Sequence, residues 1–165
     1  MIENKLKSIN PKNNSFLKSW LPFSNSKLDA IVKKAATTQS KWSNIRIESR
    51  LNFIKKLSVL ICNEKNQLAE LMANEMGKPI SQGIAEIEKC SSLCDYYVKN
   101  SKNMLSINKI DSNYYKSYIS YQPLGLVLGV MPWNFPFWQI FRFAVPSIIA
   151  GNGVLLKHAP NVQGC

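Results

Sequence analysis

Apolar residues recur at helical spacing through most of the first hundred positions, and that rhythm stops near residue 103. Ser26 and Asp29 have capping-box spacing; Leu28, Ile31, Val32, Ala35, Ala36 and Trp42 then follow the 3.6-residue period and predict a first amphipathic helix. Asn44 is the expected N-cap of a second, whose apolar face carries Ile47, Leu51, Ile54, Leu57, Ile61, Leu68, Leu71 and Met72. Gly77 ends it and Pro79 prevents its continuation. Ser81 is the expected cap of a third, with Ile84, Ile87, Leu93, Cys94 and Val98 recurring along it. These helices show no catalytic constellation, and packing against other elements accounts for their pattern. Residues 1–25 are Asn-, Lys- and Ser-rich, contain Pro11 and Pro22, and predict an irregular arm tacked on by Phe16, Trp20 and Leu21.

Past residue 103 the pattern favours strands. Lys109-Ile110-Asp111-Ser112-Asn113 carries turn chemistry between Ile- and Tyr-rich flanks, which predicts a β-hairpin over 104–121. Its edges would carry unpaired backbone groups and seek another chain or a distant segment. Two apolar runs follow, 124–131 and 154–156, flanking a longer aromatic stretch. The first predicts a strand over 126–130, without alternation and so covered on both faces. Pro132 ends it, Pro136 suits the first turn of a helix over 136–150, and Gly151-Asn152-Gly153 ends that helix. The second strand, 154–156, delivers Lys157. This is a strand–helix–strand unit, half of a nucleotide-binding motif, with Asn134 and Lys157 at adjacent strand ends. It has no GxGxxG. The chain thus divides into an arm (1–25), a helical part (26–103), a hairpin (104–121) and a βαβ unit (122–165).

Composition narrows the partners. At 165 residues and 45% apolar the chain can build a core, which excludes wholesale disorder. A formal charge of +11 raises the question of nucleic acid. The lysines, however, are scattered over the first 120 residues without a basic cluster interleaved with aromatics, so a solvated surface is expected and no nucleic-acid partner. Cys62, Cys90, Cys94 and Cys165 form no paired framework, and residues 1–18 have no apolar core of a signal peptide; a reducing, cytoplasmic setting is expected. Cys90 and Cys94 share a helix face and suit core packing rather than metal. The run 135–156 is apolar enough to suggest a membrane span. Pro136, Gln139, Arg142, Pro146 and Asn152 interrupt it, so no membrane partner is expected.

Met131-Pro132-Trp133-Asn134-Phe135-Pro136, followed by Gly151-Asn152 and Leu155-Leu156-Lys157-His158-Ala159-Pro160, resembles the NAD(P)-dependent aldehyde dehydrogenases. Trp42, Arg50, Glu75-Met76-Gly77-Lys78-Pro79 and Glu86-Ile87 are similar to that family's N-terminal helices, and the hairpin matches its oligomerisation hairpin in position. The likeness runs roughly over residues 27–165. It implies an α/β fold, here the N-terminal part: amphipathic helices, a β-hairpin and the start of a Rossmann-like parallel sheet. It also implies NAD or NADP as cofactor, a small-molecule aldehyde as substrate and a homo-oligomeric whole enzyme. In such enzymes a cysteine thiolate attacks the aldehyde, hydride passes from the thiohemiacetal to the nicotinamide, and a glutamate-activated water hydrolyses the thioester.

The resemblance also assigns roles. Asn134 matches the side-chain amide that donates to the oxyanion, a contribution of about 3 kcal/mol at comparable sites. Met131, Pro132, Trp133 and Asn134 match the cofactor cleft. Lys157 matches the lysine on the adenine ribose, and His158, Ala159 and Pro160 would line its ribose side. Pro160 stands where NAD-preferring members often have an acid, so a 2′-phosphate meets no repulsion and relaxed or NADP-leaning use is expected. Arg142, eight residues after Asn134 on an otherwise apolar helix, needs a partner, because an unpaired buried charge is costly; an ion pair with a segment outside this chain is one. It is similar to the arginine that holds the distal carboxylate in succinate-semialdehyde dehydrogenases, where its planar fork suits a carboxylate. Leu155-Leu156-Lys157-His158-Ala159-Pro160-Asn161-Val162 is also typical of a bacterial branch of those enzymes.

In the family the nucleophilic cysteine and the base glutamate follow the Lys157 motif at a distance, and none of the four cysteines here matches that motif. The expectation is therefore a truncated, N-terminal dehydrogenase piece without the catalytic domain, inactive alone and binding cofactor weakly or not at all. The alternative is a non-catalytic short protein that binds a full-length relative through its hairpin. Two strands and one helix cannot cover their own faces, so part of 135–156 should be exposed.

Overall fold

A computed structural model describes residues 5–165. Its first element corrects the expected irregular arm, of which residues 1–4 lie outside the described residues. β1 (Leu6–Ile9) and β2 (Phe16–Trp20) pair antiparallel. Asparagines make the turn between them. Lys12 N donates to Asn10 Oδ1 (2.9 Å), Ser15 N donates to Asn13 Oδ1 (3.0 Å), and Asn14 takes a left-handed φ of 57°. The hairpin is held by contacts far along the chain: Asn10 Nδ2 donates to Asn74 Oδ1 (3.3 Å), and buried Ser8 lies against Asn161.

α1 (Asn25–Ser43) is capped by Ser24, whose Oγ accepts from Lys27 N (3.3 Å), two residues ahead of the expected Ser26. It buries no residue and docks on the stretch around residues 148–151 through Gln39 Nε2 to Gly151 O (2.9 Å) and Trp42 Nε1 to Ile148 O (2.8 Å). The expected second helix is two, α2 (Ile47–Asn63) and α3 (Lys65–Met76), parted at Glu64. The apolar period runs through that break without Gly or Pro, so the sequence does not mark it. Arg46 rather than Asn44 stands at the N-cap of α2. Gly77 closes α3 in the left-handed region (φ 74°), as expected of a C-terminal glycine. α4 (Ile80–Met104) then starts after Pro79 rather than Ser81.

α2, α3 and α4 enclose two buried clusters. One contains Ile61, Ala69, Met72, Ile87, Cys90 and Phe137; the other contains Leu51, Ile54, Cys94, Val145 and Ile149. Fully burying a side chain such as Met72 or Ile87 stabilises by about 1.5–3 kcal/mol. α3 and α4 meet at Gly83, where an added Cβ would stand 2.9 Å from Ala69 Cβ. Phe137, Val145 and Ile149 belong to the stretch after the first parallel strand, so the helical body is what fixes α5 (Trp138–Ile149).

The hairpin over 104–121 is shorter than expected. β3 (Asn108–Lys109) and β4 (Tyr118–Ile119) make two residue pairs, and Met104 still belongs to α4. β5 (Leu126–Val130) and β6 (Gly153–Lys157) then pair in parallel, from Leu126↔Gly153 to Val130↔Lys157. Gly129 lets Phe143 of α5 lie against β5, since a Cβ there would come within 2.5 Å of the ring. The expectation that both faces of β5 are covered fails. Leu128 is 62% and Val130 66% exposed, because α5 packs on the strand at Gly129 while α1 meets the pair near its start, at Gly153.

Candidate active-site segment

β5 stops at Pro132, and the turn Pro132-Trp133-Asn134-Phe135 is exposed on the way into α5. A buried ion pair holds that turn. Lys78, between α3 and α4, reaches Glu86 of α4; the two side chains are 6% and 1% exposed. Lys78 Nζ also donates to the backbone oxygen of Asn134 (3.2 Å) and lies 4.0 Å from the Phe135 ring centroid. Glu86 Oε1 accepts from the amides of Phe137 (3.0 Å) and Trp138 (2.9 Å). Those are orphan donors at the start of α5, and the carboxylate sits at the positive end of the helix dipole. One pair of side chains thus fixes the turn on both sides of Phe135 and Pro136 and leaves the Asn134 side chain in solvent.

The second strand end lies beside the first. Met131 N donates to Lys157 O (3.0 Å), and Lys157 itself is exposed. His158 and Ala159 are buried, and Pro160 opens a 3-10 turn, Pro160–Val162. His158 was expected to line the ribose side; its ring instead faces inward, toward the backbone carbonyls of Met131 and Pro136. Its Nδ1 accepts from Ala159 N (3.0 Å), which puts the ring proton on Nε2, and Nε2 has no well-aligned partner among the described residues. Burial holds the imidazole below its ordinary pKa. Gln163 Nε2 donates to the oxygens of His158 (3.3 Å) and Ala159 (3.0 Å), while Glu75 accepts from Gly164 N (3.0 Å) and Cys165 N (2.9 Å). The strand starts are tied as well: buried Asn152 accepts at Oδ1 from Leu124 N (2.6 Å) and Gly125 N (3.1 Å).

The structure brings Met131, Pro132, Trp133, Asn134 and Lys157 to one end of the parallel pair, with Ala159 and Pro160 just beyond. Arg142 departs from expectation. It is exposed on α5 and has no ion pair or hydrogen bond with a described residue, so solvent replaces the partner that a buried charge would need. The thiols of Cys90 and Cys94 are pushed up to about 12 by burial, and that of Cys165 is pushed up by burial and by Glu75 beside it. Cys62 is exposed on α2. Among the described residues no group of His, Cys, Asp or Glu could hold a metal ion, and no helix is long and apolar enough to cross a membrane.

In the sequence, Glu75, Lys78 and Glu86 stand out only as part of the family likeness, without a task of their own. A signal was there: Glu86 falls on the buried stripe of α4 with Gly83, Ile87, Cys90 and Cys94. A carboxylate on a core face implies a buried partner.

An exposed polar turn at the carboxyl ends of adjacent parallel strands, with a cation on the neighbouring end, is the ligand-binding arrangement of nucleotide-binding α/β proteins. Comparison with known proteins narrows that class: the aldehyde dehydrogenase family model matches residues 2–165, and the chain belongs to this family. It is 40% identical over 159 residues to a succinate semialdehyde dehydrogenase [NAD(P)+] of Escherichia coli K12, covering 96% of this chain and 34% of that protein. A Mycobacterium avium succinate-semialdehyde dehydrogenase [NADP(+)] is 36% identical over 159 residues, covering 94% and 34%. The solved succinic semialdehyde dehydrogenase of Streptococcus pyogenes, in complex with NADP+, superposes with a TM-score of 0.93 at 27% identity over 96% of this chain and 35% of that one. The chain therefore spans about a third of the length of these relatives.

Proposed function

We propose that this chain forms the oxyanion and cofactor-ribose side of an NAD(P)-dependent dehydrogenase that oxidises succinate semialdehyde to the carboxylic acid. The observation that carries the reading is the juxtaposition of Asn134 and Lys157 across the register pair Val130↔Lys157, with the Asn134 turn clamped from within and its side chain free. The amide of Asn134 donates to the oxygen that becomes negative when a nucleophile adds to the aldehyde carbonyl. A donor carried on a backbone already held in place needs less reorganisation as that charge develops. An amide also gives up no proton of its own in doing so.

The residues present fit a nicotinamide dinucleotide. The exposed ammonium of Lys157 suits ribose hydroxyls or a 2′-phosphate, and at Pro160 no carboxylate repels the phosphate. When bound, the dinucleotide supplies the hydride acceptor. Trp133 and Met131 wall the cleft, and His158 supports it from beneath rather than touching the ribose. Arg142, exposed on α5 and without an ion pair to a described residue, is free to take the distal carboxylate of the substrate in a bidentate contact. None of the described thiols suits the nucleophile: three are held protonated by their surroundings, and Cys62 is exposed on α2, a helix that supplies none of the residues bracketing the turn. On this reading the 165 residues alone do not turn over aldehyde.

The test joins this chain to the remainder of the Escherichia coli relative, in place of the 34% of that protein which it matches. The chimera should reduce NADP with succinate semialdehyde, and the isolated chain should not. A folded chimera without turnover, or turnover by the isolated chain, contradicts the reading. A second reading rests on the β3–β4 hairpin, whose residues Tyr114, Tyr115, Tyr118 and Ile119 are all exposed. On that reading the chain is a non-catalytic partner of a full-length relative, and it would co-purify with that relative at a fixed ratio.

A further inference from the structure

We infer that Lys78 and Glu86 are positioning residues for catalysis, acting through Asn134. This rests on the oxyanion role proposed for Asn134. No other described contact fixes the turn as directly. Lys78 Nζ holds the carbonyl of Asn134 itself (3.2 Å), and Glu86 holds the amides three and four residues later (3.0 and 2.9 Å). The two side chains are joined to each other, so the restraints on either side of Phe135 form one rigid bracket.

The arrangement has a cost that packing alone does not explain. Both charges are almost wholly removed from water, where an apolar pair of similar volume is often equally stable or more so. The bracket supplies what an apolar pair cannot: acceptors for two helix-start amides and a donor for the turn carbonyl. It also supplies directional restraint. An apolar contact tolerates sliding, whereas three hydrogen bonds and a ring contact fix the peptide plane that follows Asn134, and with it the place from which its side chain leaves the backbone. Misplacing a catalytic donor by about 1 Å can cost on the order of a hundredfold in rate.

The test is a double-mutant cycle in the chimera. Lys78→Met should lower kcat roughly ten- to a hundredfold. KM for NADP should stay within about twofold, since Lys157 and the ribose side are not touched. In an Asn134→Ala background the same substitution should cost less than about twofold more, because a donor already removed cannot be misplaced. Glu86→Gln, which keeps an acceptor for the helix amides but weakens the pull on Lys78, should show a smaller fall with the same non-additivity. Lys78→Arg, which keeps the charge against Glu86, should restore part of the rate. If Lys78→Met does not fold by near-ultraviolet circular dichroism, the cycle is run with Glu86→Gln and judged by the same non-additivity. An unchanged kcat in the folded variants, or equal factors in both backgrounds, overturns the inference. An Asn134→Ala chimera with undiminished kcat instead overturns the oxyanion reading beneath it.

Discussion

Glu86→Ala in the isolated chain should be among its most damaging single substitutions. It strips the acceptor from the amides of Phe137 and Trp138 and leaves Lys78 charged in a site where the side chain is 6% exposed. Breaking a buried pair by removing one partner costs about 3–5 kcal/mol, against a total stability of about 5–15 kcal/mol for a typical domain. With an m-value of about 2 kcal/mol/M, the urea midpoint should fall by roughly 1.5–2.5 M. Tryptophan fluorescence reads it, since Trp138 sits at the damaged helix start. The control removes both charges. Lys78→Met with Glu86→Leu leaves no stranded ion, so the loss should shrink to about 1–3 kcal/mol, from amides without acceptors. A midpoint shift below about 0.5 M for Glu86→Ala refutes the reasoning. So does a double variant that loses the sum of the two single losses.

Gly83→Val should lower stability by about 2 kcal/mol or more, because its Cβ alone would meet Ala69 Cβ and Cα at 2.9 and 3.0 Å and force α3 from α4; an unchanged melting temperature contradicts this. His158 is the single histidine and is held below its ordinary pKa by burial. The unfolded chain therefore binds the extra proton first. The contribution of His158 is complete above about pH 6.5 and is lost as pH falls toward and through the lowered folded value. His158→Gln should flatten the fall in urea midpoint between pH 7 and pH 5, and an equal fall in both proteins contradicts it. Arg142→Ala in the chimera should raise KM for succinate semialdehyde about tenfold or more, as expected for a lost charged hydrogen bond, and barely alter KM for an uncharged aldehyde; equal effects remove the substrate assignment.

The elements that were legible in the sequence are those whose signals are local. The strand Leu126–Val130 is an unbroken apolar run stopped by Pro132, and Gly77 closes α3 because a left-handed C-cap favours glycine. What was not legible depends on contacts across the chain. Residues 6–20 lack an apolar alternation, and their pairing is supported by Asn74 and Asn161, which stand far away in sequence. The break at Glu64 leaves the apolar period intact, so only packing against α4 reveals it. The site divides in the same way. Asn134 and Lys157 could be read from strand ends and from the family resemblance. The bracket that aims Asn134 joins residues 78, 86 and 134, and none of the three announces the others. Arg142 shows the reverse: an arginine in an apolar helix suggests burial, and the exposed face of α5 removes that need.

The proposed chemistry turns on the side chain of Asn134. In the chimera, Asn134→Ala should leave KM for NADP within about twofold and lower kcat by about a hundred- to a thousandfold, the loss expected for one oxyanion donor. A kcat within threefold of the unsubstituted chimera would place the oxyanion elsewhere and contradict the account.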